Sequence, residues 1–289
     1  MRVPPRRTPR AMARRAQDDR LKLAVPDTIA LTLALAVLVG CTPMSPVRPH
    51  SAAEKSSSGA GEAAYGRPPA VTGAQAAWGG RVRLDGAADA GASVRLATPA
   101  GQAQFATADD AGHWRLTIPE ASGVRLFGLS MTKGRQAVQS ESYLAIVPGA
   151  VAVLLRSGAG AVVVGSAPPR LAVTALDVDR KGGAVLSGRA PPGAMVDLLV
   201  DGAPGGRALA DATGRYALDL DEPLGPGDHQ LQAASGAARV RVDAPLSTPP
   251  QLAVGPFAAD RGAGEWRIVW VTPGGGVQTT LVFDRGGSA

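Results

Sequence analysis

The chain of 289 residues is poor in the side chains that form disulfides, catalytic sites and aromatic cores. It has one cysteine, three histidines and only 4% aromatic residues. A single cysteine excludes an intrachain disulfide framework. The three histidines show no pattern with serine and a carboxylate that would support a catalytic triad. We therefore expect a core of Val, Leu and Ala, no enzymatic activity and no cofactor.

Long apolar runs are missing as well. The apolar run Ile29–Val39 is shorter than the roughly 20 residues that a membrane-spanning helix needs. It follows the basic stretch Arg2–Lys22, and this order is typical of a secretory signal. We expect residues 1–40 to be a signal peptide.

A basic surface for nucleic acid is also absent once that signal is set aside. The formal net charge of the whole chain is +6, and residues 1–40 hold eight Lys/Arg against three Asp. About +1 remains for the rest of the chain, with no cluster of basic and aromatic side chains. We therefore expect no nucleic-acid partner.

The end of the apolar run carries the only cysteine. Leu38, Val39, Gly40 and Cys41 together resemble the lipobox of bacterial lipoproteins. This resemblance implies cleavage before Cys41, lipid on its sulfur and membrane attachment in the bacterial cell envelope. Thr42 stands where an aspartate would imply inner-membrane retention, so the resemblance implies the outer membrane. An uncleaved signal anchor is the alternative.

Residues 41–76 contain the lipidated cysteine and a stretch rich in Ser, Pro and Gly, including the serine run 56–58. Such a composition buries too little apolar surface to offset the entropy lost on ordering. We expect this segment to be a flexible tether.

The remainder contains an internal repeat with a constant offset of 102 residues. Leu84-Asp85-Gly86 matches Leu186-Ser187-Gly188, and Gly91–Leu96 matches Gly193–Leu198. Further pairs continue the same offset: Gly112 with Gly214, Trp114 with Tyr216, Leu116 with Leu218, and Leu129 with Leu231. We interpret residues 77–166 and 167–247 as two homologous units.

Each unit is patterned for β-strands. Val94 and Leu96 alternate with polar residues, as do Val196 and Leu198, and this period of two places one face in a core. Turn residues separate the alternating stretches, as at Asp110-Ala111-Gly112. Short strands at this spacing favour an antiparallel sandwich.

The repeated pattern resembles bacterial immunoglobulin-like repeats. In the second unit it runs through Gly188–Leu198, Ala210–Leu218 and Leu224–Leu231. The resemblance implies an all-β chain with two tandem immunoglobulin-like β-sandwiches. Carboxypeptidase-regulatory-like domains share part of the pattern and remain an alternative sandwich assignment.

Two glycine-turn hairpins are expected outside the repeat core. Val151–Leu155 and Ala161–Val164 flank one turn, and Trp266–Val271 and Val277–Phe283 flank the other. Because the second pair follows a proline-containing stretch, we expect residues 248–289 to form a separate C-terminal hairpin segment.

Trp266, Ile268 and Trp270 alternate on one face of this last hairpin. They form either a local core or an exposed face that stacks on a sugar or a partner protein. His113 and His229 are expected to be solvent-facing strand residues. Asp109 and Asp211 are expected to form turns, and Asp177–Gly182 does not match the ligand spacing of a calcium loop, so no metal site is predicted.

These observations predict a non-catalytic envelope lipoprotein that acts as a binding or scaffold module in envelope assembly or adhesion. Its partner would be an envelope protein or a glycan. The alternative is an accessory carbohydrate- or peptidoglycan-binding subunit of an envelope enzyme or secretion complex, which exposed Trp266 and Trp270 would favour.

Overall fold

The computed structural model describes residues 67–149, 151–165 and 170–284, and these residues form strands and turns without a helix. The first nine strands are β1 Ala70–Ala77, β2 Arg81–Ala87, β3 Ser93–Ala97, β4 Ala103–Thr107, β5 His113–Ile118, β6 Arg125–Lys133, β7 Gln136–Val147, β8 Val151–Leu155 and β9 Val162–Val164. The others are β10 Ala172–Asp179, β11 Ala184–Arg189, β12 Met195–Val200, β13 Ala203–Leu209, β14 Arg215–Asp219, β15 Gly227–Ser235, β16 Ala238–Leu246, β17 Phe257–Arg261, β18 Glu265–Val271 and β19 Val277–Phe283.

The strands form four sheets. Sheet 1 has the order β1-β2-β5, and sheet 2 has the order β4-β3-β6-β7-β8-β9. Sheet 3 has the order β14-β11-β10-β19-β18-β17, and sheet 4 has the order β13-β12-β15-β16. Every pairing between neighbouring strands is antiparallel, as expected for sandwiches with short connections.

Three apolar cores join the four sheets face to face. The first core lies between sheets 1 and 2, and the last lies between sheets 3 and 4. A middle core joins sheets 2 and 3, because alternate residues of β6, β7 and β8 point away from the first core. Its buried members are Leu126, Ala145, Val147, Val153, Leu155, Ala161, Ala175, Ile268, Trp270 and Val282.

The repeat is visible in the strands themselves, because β1–β7 and β10–β16 follow one another at closely matching offsets. Gly86 has no room for a Cβ because the Trp114 ring lies against it, and Gly188 is held in the same way by the Tyr216 ring. The all-β prediction with tandem immunoglobulin-like sandwiches is confirmed.

Two expected boundaries need correction. Strand β1 lies within the segment 41–76, because Ala70–Ala77 pairs with β2 and buries Val71 and Ala74 in the first core. The segment 248–289 is not a separate hairpin. Strand β19 pairs with β10 on one side and β18 on the other, so the hairpin completes sheet 3.

The first expected hairpin forms as β8 and β9, which pair from Ala152 with Val164 to Leu154 with Val162. Within the part of the chain that the structure describes, there is no helix long and apolar enough to cross a membrane.

Candidate functional site

The tryptophan-bearing strand β18 lies in the interior. Ile268 and Trp270 are fully buried in the middle core, and the Tyr143 ring meets the Trp270 ring edge-on with centroids 5.8 Å apart. Trp266 packs at the margin of that core, with the Arg261 guanidinium 5.3 Å from its ring centroid. The possible binding face at Trp266, Ile268 and Trp270 is therefore corrected: this face holds sheet 3 to sheet 2.

A buried polar network accompanies these aromatic side chains. The Trp270 indole N–H donates to Thr280 Oγ1 at 3.0 Å, and the Thr280 hydroxyl donates to Asp177 Oδ1. Gln278 Nε2 donates to the same carboxylate oxygen at 2.8 Å. The backbone N–H of Ala161 donates to Asp177 Oδ2. Because Ala161 follows the β8–β9 turn, this last bond ties the first sandwich to the second.

Asp177 is only 2% exposed, and burial raises the pKa of its carboxyl, with the bonds from Thr280, Ala161 and Gln278 opposing that shift. All three neighbours are donors, so the carboxylate oxygens have the partners that a buried acid requires. From the sequence, Asp177 is predicted only to lie in a stretch that does not match a calcium loop. Its position among apolar residues of β10 was the available signal of a buried polar role.

The expectation that His229 faces solvent is wrong, because its side chain is only 18% exposed. Its Nδ1 lies 2.8 Å from Asp201 Oδ2, and its Nε2 lies 2.9 Å from the Gly225 carbonyl oxygen. A carbonyl and a carboxylate both accept hydrogen bonds, so this geometry fits an imidazolium that donates from both nitrogens. Neither nitrogen is free to take a proton from a substrate.

His113 is exposed, as expected, with Nδ1 3.8 Å from Asp109 Oδ2. Asp109 and Asp211 form turns: each accepts backbone N–H bonds two and four residues ahead, at 3.0 and 2.8 Å for Asp109 and at 2.7 and 3.0 Å for Asp211. No group of three or more His, Cys, Asp or Glu side chains suited to a metal ion occurs among residues 67–149, 151–165 and 170–284.

The outer edge of sheet 2 differs from its counterpart in the second sandwich. On β4, Phe105 is 62% exposed and lies opposite Arg95 of β3. At the matching positions, Arg207 of β13 forms an ion pair with Asp197 of β12. An exposed apolar residue on an uncharged edge strand is a feature that natural sheets usually avoid, because such an edge can pair with another chain.

The lipobox residues Leu38, Val39, Gly40 and Cys41 lie outside the described residues. Their prediction therefore stands on the sequence.

No family model matches the sequence, and no curated protein matches it. Several solved structures show similarity. One is the "Biofilm associated protein - BSP domain", with 12% sequence identity and a TM-score of 0.23. The match covers 64% of this chain and 30% of that protein's chain. Another is the "Central Fibronectin-III array of RIM-binding protein", with 12% identity and a TM-score of 0.25 over 70% of this chain and 78% of that one.

Proposed function

We propose that this protein is a non-catalytic, lipid-anchored module of the bacterial envelope that binds or positions a protein partner. Lipid on Cys41 would attach the chain to a membrane. The lipobox resemblance, with Thr42 after the cysteine, implies the outer membrane. The residues before β1 would then separate the sandwiches from the lipid surface. The sandwiches would face the periplasm or the cell exterior.

The middle core is the observation that carries the scaffold role. Two tandem sandwiches joined only by a linker would move independently. Here ten fully or nearly fully buried apolar residues lie between sheets 2 and 3, with Trp270 among them. A module built in this way holds its two sandwiches in one orientation, which is what a spacer or assembly platform requires.

Partner contact is best supported at the edge strand β4. Its sequence, Ala-Gln-Phe-Ala-Thr, carries neither charge nor proline, and among the described strands only β3 pairs with it. An extended segment of a partner could add to this edge through backbone hydrogen bonds, with Phe105 supplying an apolar contact.

The alternative, an accessory subunit that binds carbohydrate or peptidoglycan, rested on an exposed aromatic face at Trp266 and Trp270. Trp270 is fully buried and Trp266 packs at the core margin. This hypothesis therefore loses the feature that favoured it, and the protein-binding hypothesis is preferred.

The anchor is tested by metabolic labelling with a fatty acid and by fractionation of the intact chain and a Cys41→Ser variant. We expect label and membrane attachment in the intact chain and neither in the variant. A Cys41→Ser protein that remains membrane-bound with an uncut N-terminus would contradict lipidation and support a signal anchor.

The contact surface is tested by crosslinking in whole envelopes with Phe105→Lys and, as a matched control, Leu209→Lys. Leu209 is similarly exposed, at 61%, but lies on β13 of the other sandwich. We expect a specific crosslinked protein to be lost only with Phe105→Lys. Loss with both variants or with neither would reject β4 as the contact edge, and recovery of glycan alone would favour the accessory-subunit hypothesis.

A further inference from the structure

A cleft of about 210 Å³ lies where the second sandwich extends beyond the edge of sheet 2. Strands β11 and β14 form its floor, and the β8–β9 hairpin forms its wall. Three arginines line it, Arg156, Arg189 and Arg215, whereas Asp211 is the one acidic residue of the lining. The cleft therefore combines a surplus of positive charge with residues from both sandwiches.

The internal repeat identifies what is unusual about this cleft. In the first sandwich, the corresponding position on β2 is Asp85, whose Oδ1 lies 2.6 Å from Arg115 Nε and whose Oδ2 lies 3.6 Å from Arg83 Nε. In the second sandwich, the residue at that position is Ser187. In the second copy, the partners Arg83 and Arg115 of that acid are replaced as well, by Val185 and Ala217. The arginines at 189 and 215 stand instead where the first copy has Ala87 and His113.

Two buried polar groups of this cleft have no partner among the described residues. Ser187 is only 4% exposed, and its hydroxyl oxygen makes no hydrogen bond to any residue that the structure describes. Within the same part of the chain, the buried Nε of Arg215 has no acceptor. Arg189 and Arg215 also face each other directly across β11 and β14, an arrangement of like charges that destabilises a sheet unless an anion lies between them.

Two of the three arginines are held in place by the cleft walls. Arg189 Nη2 donates to the Gly165 carbonyl at 2.8 Å, and Arg156 Nε donates to the Gly160 carbonyl at 2.9 Å. Asp211 offsets part of this charge, because its carboxylate interacts with both Arg189 and Arg215 while its Oδ1 accepts from backbone N–H groups of the turn. Three arginines against one carboxylate still leave the lining with a positive surplus. Guanidinium groups fixed in this way are suited to a planar or tetrahedral oxyanion.

We propose that this cleft binds one small oxyanion, a carboxylate or a phosphate-type group, between Arg189, Arg215 and Ser187. The ligand would take the place that the Asp85 carboxylate fills in the first sandwich. The volume accommodates such a group with a few water molecules. This site does not depend on lipid anchoring or on the β4 edge, so its failure would leave the proposed function intact.

The test is calorimetric titration of the full chain, in nonionic detergent, with sodium phosphate, sulfate and acetate against chloride at matched ionic strength. We expect one ion per chain and a higher Tm with the ion that binds. Preference for phosphate and sulfate would identify a tetrahedral ligand group, and preference for acetate would identify a carboxylate. Either preference supports the proposal.

Ser187→Asp is the decisive variant, because it restores the acid that the first sandwich carries at this position. We expect ion affinity to fall at least about tenfold, since the new carboxylate occupies the site. Arg215→His, which introduces the residue of the first sandwich, should also weaken binding. Arg241→Gln is the control, because Arg241 bonds Gln232 on sheet 4, away from the cleft.

The Tm of each variant in chloride shows whether it is folded. The proposal is overturned if no oxyanion binds the wild-type chain more tightly than chloride. It is equally overturned if folded Ser187→Asp and Arg215→His proteins bind as tightly as the wild-type chain.

Discussion

Asp177 forms a buried hydrogen-bond contact between the two sandwiches. Its carboxylate accepts from Ala161 of the β8–β9 hairpin and from Gln278 and Thr280 of β19. Removing an acceptor that satisfies three buried donors leaves all three without partners, and each such donor costs about 1–3 kcal/mol. The loss of a buried carboxylate offsets part of this cost.

We therefore expect Asp177→Ala to lower the free energy of unfolding by about 3 kcal/mol, measured by urea denaturation at neutral pH. The matched control is Gln75→Ala, at the corresponding position of the first sandwich, where the side chain is exposed. Its effect should stay within about 0.5 kcal/mol. Equal effects of the two substitutions would contradict a special role for Asp177.

His229 and Asp201 form a pair that makes stability depend on pH. The hydrogen bond to Asp201 is the main cause that raises the pKa of His229, and nearby Asp228 adds to it. The bond from the Gln230 N–H is the main cause that lowers the pKa of Asp201, followed by the bond from His229. Because the pKa of His229 is higher in the folded state, the histidine stabilises the fold at pH values below its unfolded-state pKa. This stabilisation is lost as pH rises through its folded-state pKa.

The Asp201 carboxylate acts in the opposite direction. It stabilises the fold at pH values above its unfolded-state pKa, and this stabilisation is lost as pH falls through its lowered folded-state pKa. We expect the pair to contribute most at mildly acidic pH. The urea midpoint of wild type should fall from mildly acidic to alkaline pH, and His229→Gln should reduce that fall. His113→Gln, which alters an exposed histidine, should not. An unchanged pH dependence in His229→Gln would contradict this account.

At the scale of elements, β19 contributes to two cores at once. Leu281 and Phe283 enter the core between sheets 3 and 4, whereas Val282 enters the middle core. Because β19 also lies between β10 and β18, its removal would leave β10 with an unpaired edge inside the molecule.

A chain truncated before Gly262 should therefore lose the cooperative unfolding of the second sandwich, as followed by circular dichroism during heating. The control is a chain that ends after Asp284, the last described residue, and it should unfold like the full chain. A truncated protein that keeps its wild-type Tm would show that the hairpin is a separate element that the second sandwich does not need.

The repeat and the strands could be predicted from the sequence, because the alternation at Val94 and Leu96 and the turn glycine Gly112 just before Trp114 are local signals. The placement of β19 could not. Alternation shows that a strand has a buried face, but it does not identify the sheet that the strand joins, and the partner β10 lies about 100 residues earlier. Trp270 is buried because β18 joins sheet 3 through β19. Since that pairing could not be predicted, a local core and a binding face both remained open for Trp270 from the sequence.

The arginine cleft was missed for a related reason. Arg189 and Arg215 are separated in sequence and meet only through the pairing of β11 with β14. A comparison of the two repeats at Asp85 and Ser187 was the available signal. Such differences between copies are informative, because the shared fold accounts for the positions that match.

At the scale of the whole molecule, the described residues form four sheets with three cores between them, and the middle core joins what would otherwise be two independent sandwiches. A fixed orientation distinguishes this arrangement from flexible tandem repeats. It is also the property on which the proposed spacer or platform role depends.

The most direct test is the distance distribution between spin labels on the two sandwiches, measured by pulsed electron paramagnetic resonance. Labels at Thr117→Cys on β5 and Ala238→Cys on β16, both exposed positions, would be placed in a Cys41→Ser background. We predict a single narrow distribution in this protein and a broadened one when Trp270→Ala is added, since that change opens the middle core. A broad distribution already present before Trp270 is altered would contradict the rigid arrangement and the scaffold role built on it.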